Sequence, residues 1–189
     1  MSDHLALILQ GGGAGPYTAP LLIPSLALAE TGARVEVVAY PEFRPEGLEL
    51  EDAREFDEFV TRSLRELVGS GTWDRITFIA KSRGTLYLAA MSEPLPCDQV
   101  EAIWVTPLLG FDYVRQGVLA KSWRSLVVAG GADPYHDIDA HSAVCRELQA
   151  EQLVIADANH GLVVAGDVLR TVSGFQALAE ASLAFASHA

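Results

Sequence analysis

The chain is poor in cysteine, and its two cysteines form no motif. Cys97 and Cys145 are the only ones among 189 residues, and their spacing matches neither a metal-binding nor a redox pattern. Two isolated thiols are typical of a reducing compartment, where each is expected to be a small, buried hydrophobic side chain. We therefore predict a cytoplasmic protein, and the sequence indicates no metal and no cofactor.

Basic residues and long apolar segments are also scarce. The chain has 13 Lys and Arg against 25 Asp and Glu, which gives a formal net charge of −12. A strongly negative protein is repelled by nucleic acid and by anionic membranes. No apolar run is long enough to cross a bilayer, and the N-terminal Met-Ser-Asp-His lacks the basic segment of a secretory signal. We therefore expect neither nucleic acid nor a membrane as a partner.

Half of the residues are hydrophobic, which fits one globular domain over residues 1–189 with a sizeable core. Short β-branched runs alternate with helical patterns. Strands are predicted at His4–Leu9, Ala33–Tyr40, Ile76–Ile79, Val100–Val105, Ser125–Ala129 and Gln152–Ala156. Helices are predicted at Pro20–Ala29, Leu48–Val68, Leu86–Met91, Ile138–Ala150 and Asp167–Ala186, with Leu108–Leu119 unassigned. This alternation predicts an α/β fold: a three-layer sandwich of about six parallel strands with helices on both faces and no lid domain.

The segment Ala80-Lys81-Ser82-Arg83-Gly84 joins a predicted strand to a predicted helix. Small residues two before and two after the serine let the backbones pass at a sharp turn, as in the nucleophile elbow Gly-x-Ser-x-Gly. Here alanine replaces the first glycine. Such a turn exposes the Ser82 hydroxyl at the sheet edge and places the backbone N–H of Arg83 beside a developing oxyanion. Taken alone, the segment also fits an ordinary turn in which the serine caps the helix.

Two further polar loops follow the last two predicted strands, and in a parallel sheet such loops share one edge. Asp133 lies in the first of these loops and His160 in the second. A serine hydroxyl needs a base to accept its proton, and that base needs a carboxylate to orient it. The order Ser82, Asp133, His160 therefore predicts a catalytic triad. Considered singly, Asp133 is typical of a turn residue and His160 of a surface histidine.

Other acids and bases lie near the Asp133 loop. Asp137 is an alternative acid, but it is further from the strand end and suits the N-cap of the following helix. His136 and His141 are alternative bases, in or beside that helix, and we expect both to be solvated.

The loop Gln10-Gly11-Gly12-Gly13-Ala14-Gly15-Pro16 follows the first predicted strand. The backbone N–H of Gly12 or Gly13 is predicted to be the second oxyanion donor, because a glycine lets the backbone approach a substrate oxygen closely. A phosphate-binding loop is the alternative. It is disfavoured because the Gly-Lys-Ser/Thr ending is missing and Pro16 replaces the last glycine of Gly-x-Gly-x-x-Gly.

Together these motifs resemble those of the α/β hydrolases, in particular a compact group similar to dienelactone hydrolase. Relatives of that group carry a first loop that reads His-Gly-Ala-Gly-Ala-Gly, which this chain resembles, with Gln10 in place of histidine and Gly12 in place of the first alanine. Lys-Ser-Arg-Gly, Gly-Ala-Asp-Pro and Asn-His-Gly match the elbow, acid and histidine loops, so the likeness spans nearly the whole chain. The resemblance implies a minimal α/β-hydrolase fold and hydrolysis of a carboxylic ester or related acyl bond through an acyl-enzyme.

The resemblance names no substrate, so the mouth of the site is predicted from loop residues: Tyr17, Phe43, Arg44, Pro107, Leu108 and Tyr135. Arg44 or Lys81 would favour an anionic substrate, although Lys81 also fits a solvated residue at the sheet edge. Without a lid, we expect an open site and a small, soluble substrate. A non-catalytic binding module on the same scaffold and an acyltransferase stay open as alternatives, and a homodimer is one open oligomeric state.

Overall fold

The computed structural model describes residues 3–12, 15–38, 52–92 and 95–187, with the backbone alone for 52–59. Within these residues six strands alternate with six helices. The strands are β1 (His4–Leu9), β2 (Arg34–Val37), β3 (Arg75–Lys81), β4 (Gln99–Val105), β5 (Arg124–Gly130) and β6 (Glu151–Ile155). The helices are α1 (Ala19–Glu30), α2 (Asp52–Val68), α3 (Arg83–Ala90), α4 (Asp112–Lys121), α5 (Ile138–Leu148) and α6 (Val168–Ser187). The strands form one sheet in the order β2-β1-β3-β4-β5-β6.

Each face of this sheet is covered by its own group of helices. All strand pairs are parallel, and side chains alternate between the faces: Leu5 and Leu7 belong to one core cluster, Ala6 and Ile8 to the other. The first cluster includes residues of α2, α3, α4 and α5, and the second includes residues of α1 and α6. The predicted three-layer α/β fold with a six-stranded parallel sheet is therefore confirmed.

Some element bounds differ from the prediction. The helix expected from Leu86 begins at Arg83, because the turn at Ser82 leads directly into it. The unassigned region after β4 contains α4. Residues 39–51 lie outside the described residues, as do the predicted end of the second strand and the predicted start of the helix at Leu48. Cys145 is buried as expected, whereas Cys97 is half-buried. None of the described helices is long and apolar enough to cross a membrane.

A buried ion-pair network lies at the amino ends of the strands. The Arg75 guanidinium contacts the Glu101 carboxylate at 2.5 Å, and the two side chains are 6 % and 3 % exposed. Arg124 reaches the same carboxylate at 3.3 Å. Both arginines also donate to the last turn of α6: Arg75 to the Ala186 carbonyl (3.1 Å) and Arg124 to the Phe185 carbonyl (2.8 Å). These bonds satisfy helix-terminal carbonyls and place positive charge at the negative end of the helix dipole.

We expect Glu101→Ala to lower the free energy of unfolding by about 3–5 kcal/mol, because it leaves the buried Arg75 without its carboxylate. Urea denaturation measures this change. Glu36→Ala is the control, since Glu36 forms a 2.8 Å pair with Arg34 in which the two side chains are 33 % and 54 % exposed. It should cost less than about 1 kcal/mol. Equal losses in the two variants would contradict a stabilising role of the buried network.

Candidate active site

The turn between β3 and α3 holds Ser82 in a strained conformation. Its φ is 50° and its ψ is −114°, a region that residues other than glycine occupy only where the surroundings impose it. The backbone N–H of Ser82 donates to the Val105 carbonyl (3.0 Å), and the Thr85 hydroxyl donates to the Ser82 carbonyl (2.5 Å). The turn is thus tied to β4 and to the first turn of α3 at the carboxyl edge of the sheet.

The two small residues of the elbow have different tasks. A Cβ atom on Gly84 would lie 2.3 Å from the Leu9 carbonyl oxygen, so no larger residue fits while α3 stays this close to β1. Ala80, which replaces the expected glycine, is fully buried and packs in the first core cluster. Its methyl group is therefore accommodated, and the departure from the consensus leaves the turn intact.

The structure brings the three side chains of the predicted triad together. His160 Nε2 lies 2.7 Å from Ser82 Oγ, and His160 Nδ1 lies 2.8 Å from Asp133 Oδ2. The Asp133 side chain is 2 % exposed and the imidazole 27 %. With a proton on Nδ1 donated to the carboxylate, Nε2 is free to accept the proton of the serine hydroxyl.

Main-chain groups hold the acid and the base in place. The backbone N–H of Tyr135 donates to Asp133 Oδ1 (2.9 Å), so both carboxylate oxygens have a partner. The Asn159 side chain organises the histidine loop, since its Oδ1 accepts from the backbone N–H groups of Gly161 (2.8 Å) and Val163 (3.2 Å). This role of Asn159 was not predicted, although its position beside the histidine was a usable signal.

The glycine-rich loop after β1 lies against the elbow, as predicted. A Cβ atom on Gly11 would be 3.2 Å from Ser82 Cβ, and one on Gly12 would be 3.2 Å from the guanidinium carbon of Arg83. Arg83 is the first residue of α3, and the first N–H groups of a helix have no intrahelical acceptor. Its N–H and the Gly12 N–H stay the predicted oxyanion donors. Gly13 lies outside the described residues.

The residues predicted at the mouth fall into three groups. The Tyr135 ring packs edge-on against the imidazole, with 5.2 Å between the ring centroids, and Tyr17 is 77 % exposed. Pro107 is buried and Leu108 half-buried, and the Leu108 N–H lies 3.4 Å from the Thr85 hydroxyl. Phe43 and Arg44 lie outside the described residues.

The alternative acid and bases have other positions. Asp137 caps α5, because its Oδ1 accepts from the backbone N–H of Ala140 (2.9 Å). The prediction that both histidines are solvated was wrong. His141 is 3 % exposed, and burial lowers its pKa to about 4. Its ring packs edge-on against that of the half-buried His136, at 5.0 Å between centroids. His141 lies in the first turn of α5, and His136 lies in the turn before that helix.

The position of Lys81 does not fit the expectation that its ammonium could contact an anionic substrate. Its side chain is buried, and Nζ donates to the backbone carbonyl of His160 (3.1 Å). Burial lowers the pKa of Lys81, and the negative charge of Asp133 partly opposes that shift. Lys81 lies on the same face of β3 as Ile79, the face covered by α1 and α6.

Protein-family models and curated proteins give no match to the chain, but solved structures do. An α/β serine hydrolase without a lid from Xanthomonas campestris is 16 % identical, with a TM-score of 0.67, over 100 % of this chain and 85 % of its own. Est1E from Butyrivibrio proteoclasticus, solved with ferulic acid bound, is 16 % identical, with a TM-score of 0.68, over 97 % and 88 %. Dienelactone hydrolase from Anabaena variabilis is 15 % identical, with a TM-score of 0.61, over 95 % and 85 %. The chain therefore has the α/β-hydrolase fold.

We expect Gly84→Ala to destabilise the protein by about 1–3 kcal/mol, because α3 must move away from the Leu9 carbonyl. The same movement displaces Ser82, so any esterase activity should fall about 100-fold. Ala80→Gly is the matched control at the other small position. It should cost about 1 kcal/mol through the lost methyl group and added backbone freedom, with kcat retained. A fully active Gly84→Ala protein would contradict this account of the turn.

Proposed function

We propose that this protein is a serine hydrolase that cleaves a carboxylic ester or a related acyl bond of a small substrate. The observation that carries the proposal is the continuous contact from Asp133 through His160 to Ser82, at 2.8 and 2.7 Å. Three loops far apart in sequence meet to form it. The fold, which this chain shares with solved serine hydrolases and a dienelactone hydrolase, supports the same reading.

In the first half of the proposed reaction, Ser82 Oγ attacks the substrate carbonyl carbon while His160 Nε2 takes the hydroxyl proton. Asp133 stabilises the imidazolium that forms. The carbonyl oxygen becomes an oxyanion and accepts from the N–H groups of Arg83 and Gly12, which the positive end of the α3 dipole reinforces. His160 then gives its proton to the leaving group, the bond to that group breaks, and an acyl-enzyme remains.

Water completes the proposed reaction. It enters beside the half-exposed imidazole and loses a proton to His160 Nε2 as its oxygen attacks the acyl carbon. The same N–H groups hold the second oxyanion. Its collapse breaks the bond to Ser82 Oγ, which regains a proton from His160 as the carboxylic acid leaves.

Small substrates are favoured because the triad lies at the protein surface. The imidazole is 27 % exposed, and Tyr135 beside it is 57 % exposed. Two open cavities lined by described residues, of about 210 and 440 Å³, lie elsewhere: one includes Leu64 and Met91, the other Cys97 and Trp123. Acyl transfer to an alcohol or thiol uses the same acyl-enzyme, and added acceptors would reveal it as a new ester or thioester.

We expect Ser82→Ala to abolish labelling by a fluorophosphonate probe and to lower kcat for nitrophenyl acetate by at least about 10⁴-fold. Ser70→Ala is the control, since this exposed hydroxyl donates to the Leu67 carbonyl, and the variant should behave as the wild type. A panel of nitrophenyl esters and thioesters of increasing acyl length would then define the substrate. Equal turnover by the Ser82→Ala protein would refute the proposal.

We expect Asp133→Asn to lower kcat by about 10⁴-fold, because an amide in place of the carboxylate favours the wrong imidazole tautomer. Asp137→Asn tests the alternative acid and should leave kcat unchanged, since asparagine caps a helix as well as aspartate does. Steady-state hydrolysis of one activated ester is sufficient for the comparison. The reverse order of effects would assign the acid to Asp137.

A further inference from the structure

Lys81 is a buried cation directly before the nucleophile. It is the last residue of β3, it is 6 % exposed, and its ammonium reaches the loop after β6, three strands away in the sheet. There it donates to the backbone carbonyl of His160 at 3.1 Å. Burial of an ammonium is unfavourable unless hydrogen bonds and an opposite charge compensate for it. The ammonium of Lys81 therefore needs both a hydrogen-bond acceptor and an opposite charge at this site.

Hydrogen bonds within the histidine loop fix the backbone on both sides of His160. The Asn159 N–H donates to the Val163 carbonyl (2.9 Å), and the Leu162 N–H donates to the Asn159 carbonyl (2.8 Å). The carbonyl of His160 instead accepts from Lys81. The lysine thus binds the backbone of the very residue whose imidazole contacts Ser82.

The negative charge that acts on Lys81 is the Asp133 carboxylate, which partly opposes the lowering of the Lys81 pKa by burial and is itself 2 % exposed. Both Asp133 oxygens already accept hydrogen bonds, from Tyr135 N–H and His160 Nδ1. Lys81 therefore acts on the carboxylate through space, without displacing the imidazole. The positive ammonium contacts the backbone carbonyl of His160, and the negative carboxylate contacts its Nδ1, so opposite charges lie at the two ends of this residue.

We propose that Lys81 is a positioning residue for His160: it anchors the backbone carbonyl of the base and balances the charge of Asp133, so that the imidazole stays neutral and directed at Ser82. This inference rests on the proposed role of the triad. When Lys81 is neutral, the unopposed carboxylate stabilises the imidazolium, which cannot accept the serine proton. Activity should then be lost at a higher pH than in the wild type.

Other titratable groups at this edge are the same in every variant. Asp157 pairs with Arg170 at 2.6 Å in the loop before His160, the Arg83 guanidinium lies beside Gly12, and the Tyr135 ring contacts the imidazole. Their contributions cancel when variants of Lys81 are compared with the wild type.

The test is the rate of fluorophosphonate labelling of Ser82, measured between about pH 5 and 9. Lys81→Met removes the charge and the hydrogen-bond donor. The acidic limb of its profile of labelling rate against pH should move up by about 1 pH unit, which makes labelling about tenfold slower on that limb. Lys81→Arg keeps the charge and should keep the wild-type limb. Thermal unfolding verifies that each variant is folded. If Lys81→Met does not fold, Lys81→Gln is the neutral variant to measure.

Lys121→Met is the matched control. Lys121 is half-buried, and its ammonium, like that of Lys81, donates to a backbone carbonyl, that of Met91. The change in net charge is the same, so its limb should stay in place. Equal shifts in the two methionine variants would overturn the inference as a general charge effect. A uniform loss of rate in the neutral Lys81 variant, with no shift of the limb, would overturn it as a purely structural effect.

Labelling needs a nucleophilic serine but no ester turnover, so the two proposals can fail separately. A wild-type protein that labels but hydrolyses no ester contradicts the proposed function, and the limb of the Lys81 variants still decides the inference. A wild-type protein that hydrolyses esters, with an unshifted limb in the neutral variant, contradicts the inference alone. Absence of labelling in the wild type would overturn both.

Discussion

The close approach of α3 to β1 is the constraint on which the site depends. Ser82 has a positive φ, which an L-residue adopts only where the surrounding structure imposes it. Here the neighbouring residues impose it. Gly84 lets the helix pass the Leu9 carbonyl, and a hydrogen bond to Val105 ties the turn to the next strand. The adjoining residues of β1 and β3 are fully buried. The position of the hydroxyl is therefore set by the densest part of the core rather than by the loop itself.

The strand order then determines which loops can meet this hydroxyl. The chain leaves β1 towards β2 in one direction and builds β3 to β6 in the other, so a crevice opens between the ends of β1 and β3. The acid and histidine loops lie further along the same edge and are joined to each other, since Gly131 N–H donates to the Ile155 carbonyl and Ala132 N–H to the Ala158 carbonyl, both at 2.9 Å. Two main-chain hydrogen bonds thus fix the loop of Asp133 to the loop of His160.

The triad could be predicted from sequence because its three residues follow strands, and parallel strands bring such residues to a common edge whatever their distances in the chain. The sequence pattern could not show which side chains reach from one strand to the loop of a distant strand. Lys81 reaches a loop three strands away, and that reach depends on a strand order that was unknown. His141 was expected in solvent because the sequence of α5 alone does not show which face of this helix packs against the rest of the protein. In both cases the missing information was the position of a distant element.

Cations are buried at both ends of the sheet, but their partners differ. At the amino ends, Arg75 contacts Glu101 directly at 2.5 Å, an arrangement in which both charges are compensated by each other. At the carboxyl ends, Lys81 donates to a neutral carbonyl, and the nearby Asp133 keeps both of its oxygens for His160 and Tyr135. The opposite charges at the carboxyl ends are thus connected through His160, whose carbonyl accepts from Lys81 and whose Nδ1 contacts Asp133. Those at the amino ends touch each other, so that loss of either partner there leaves an uncompensated buried charge.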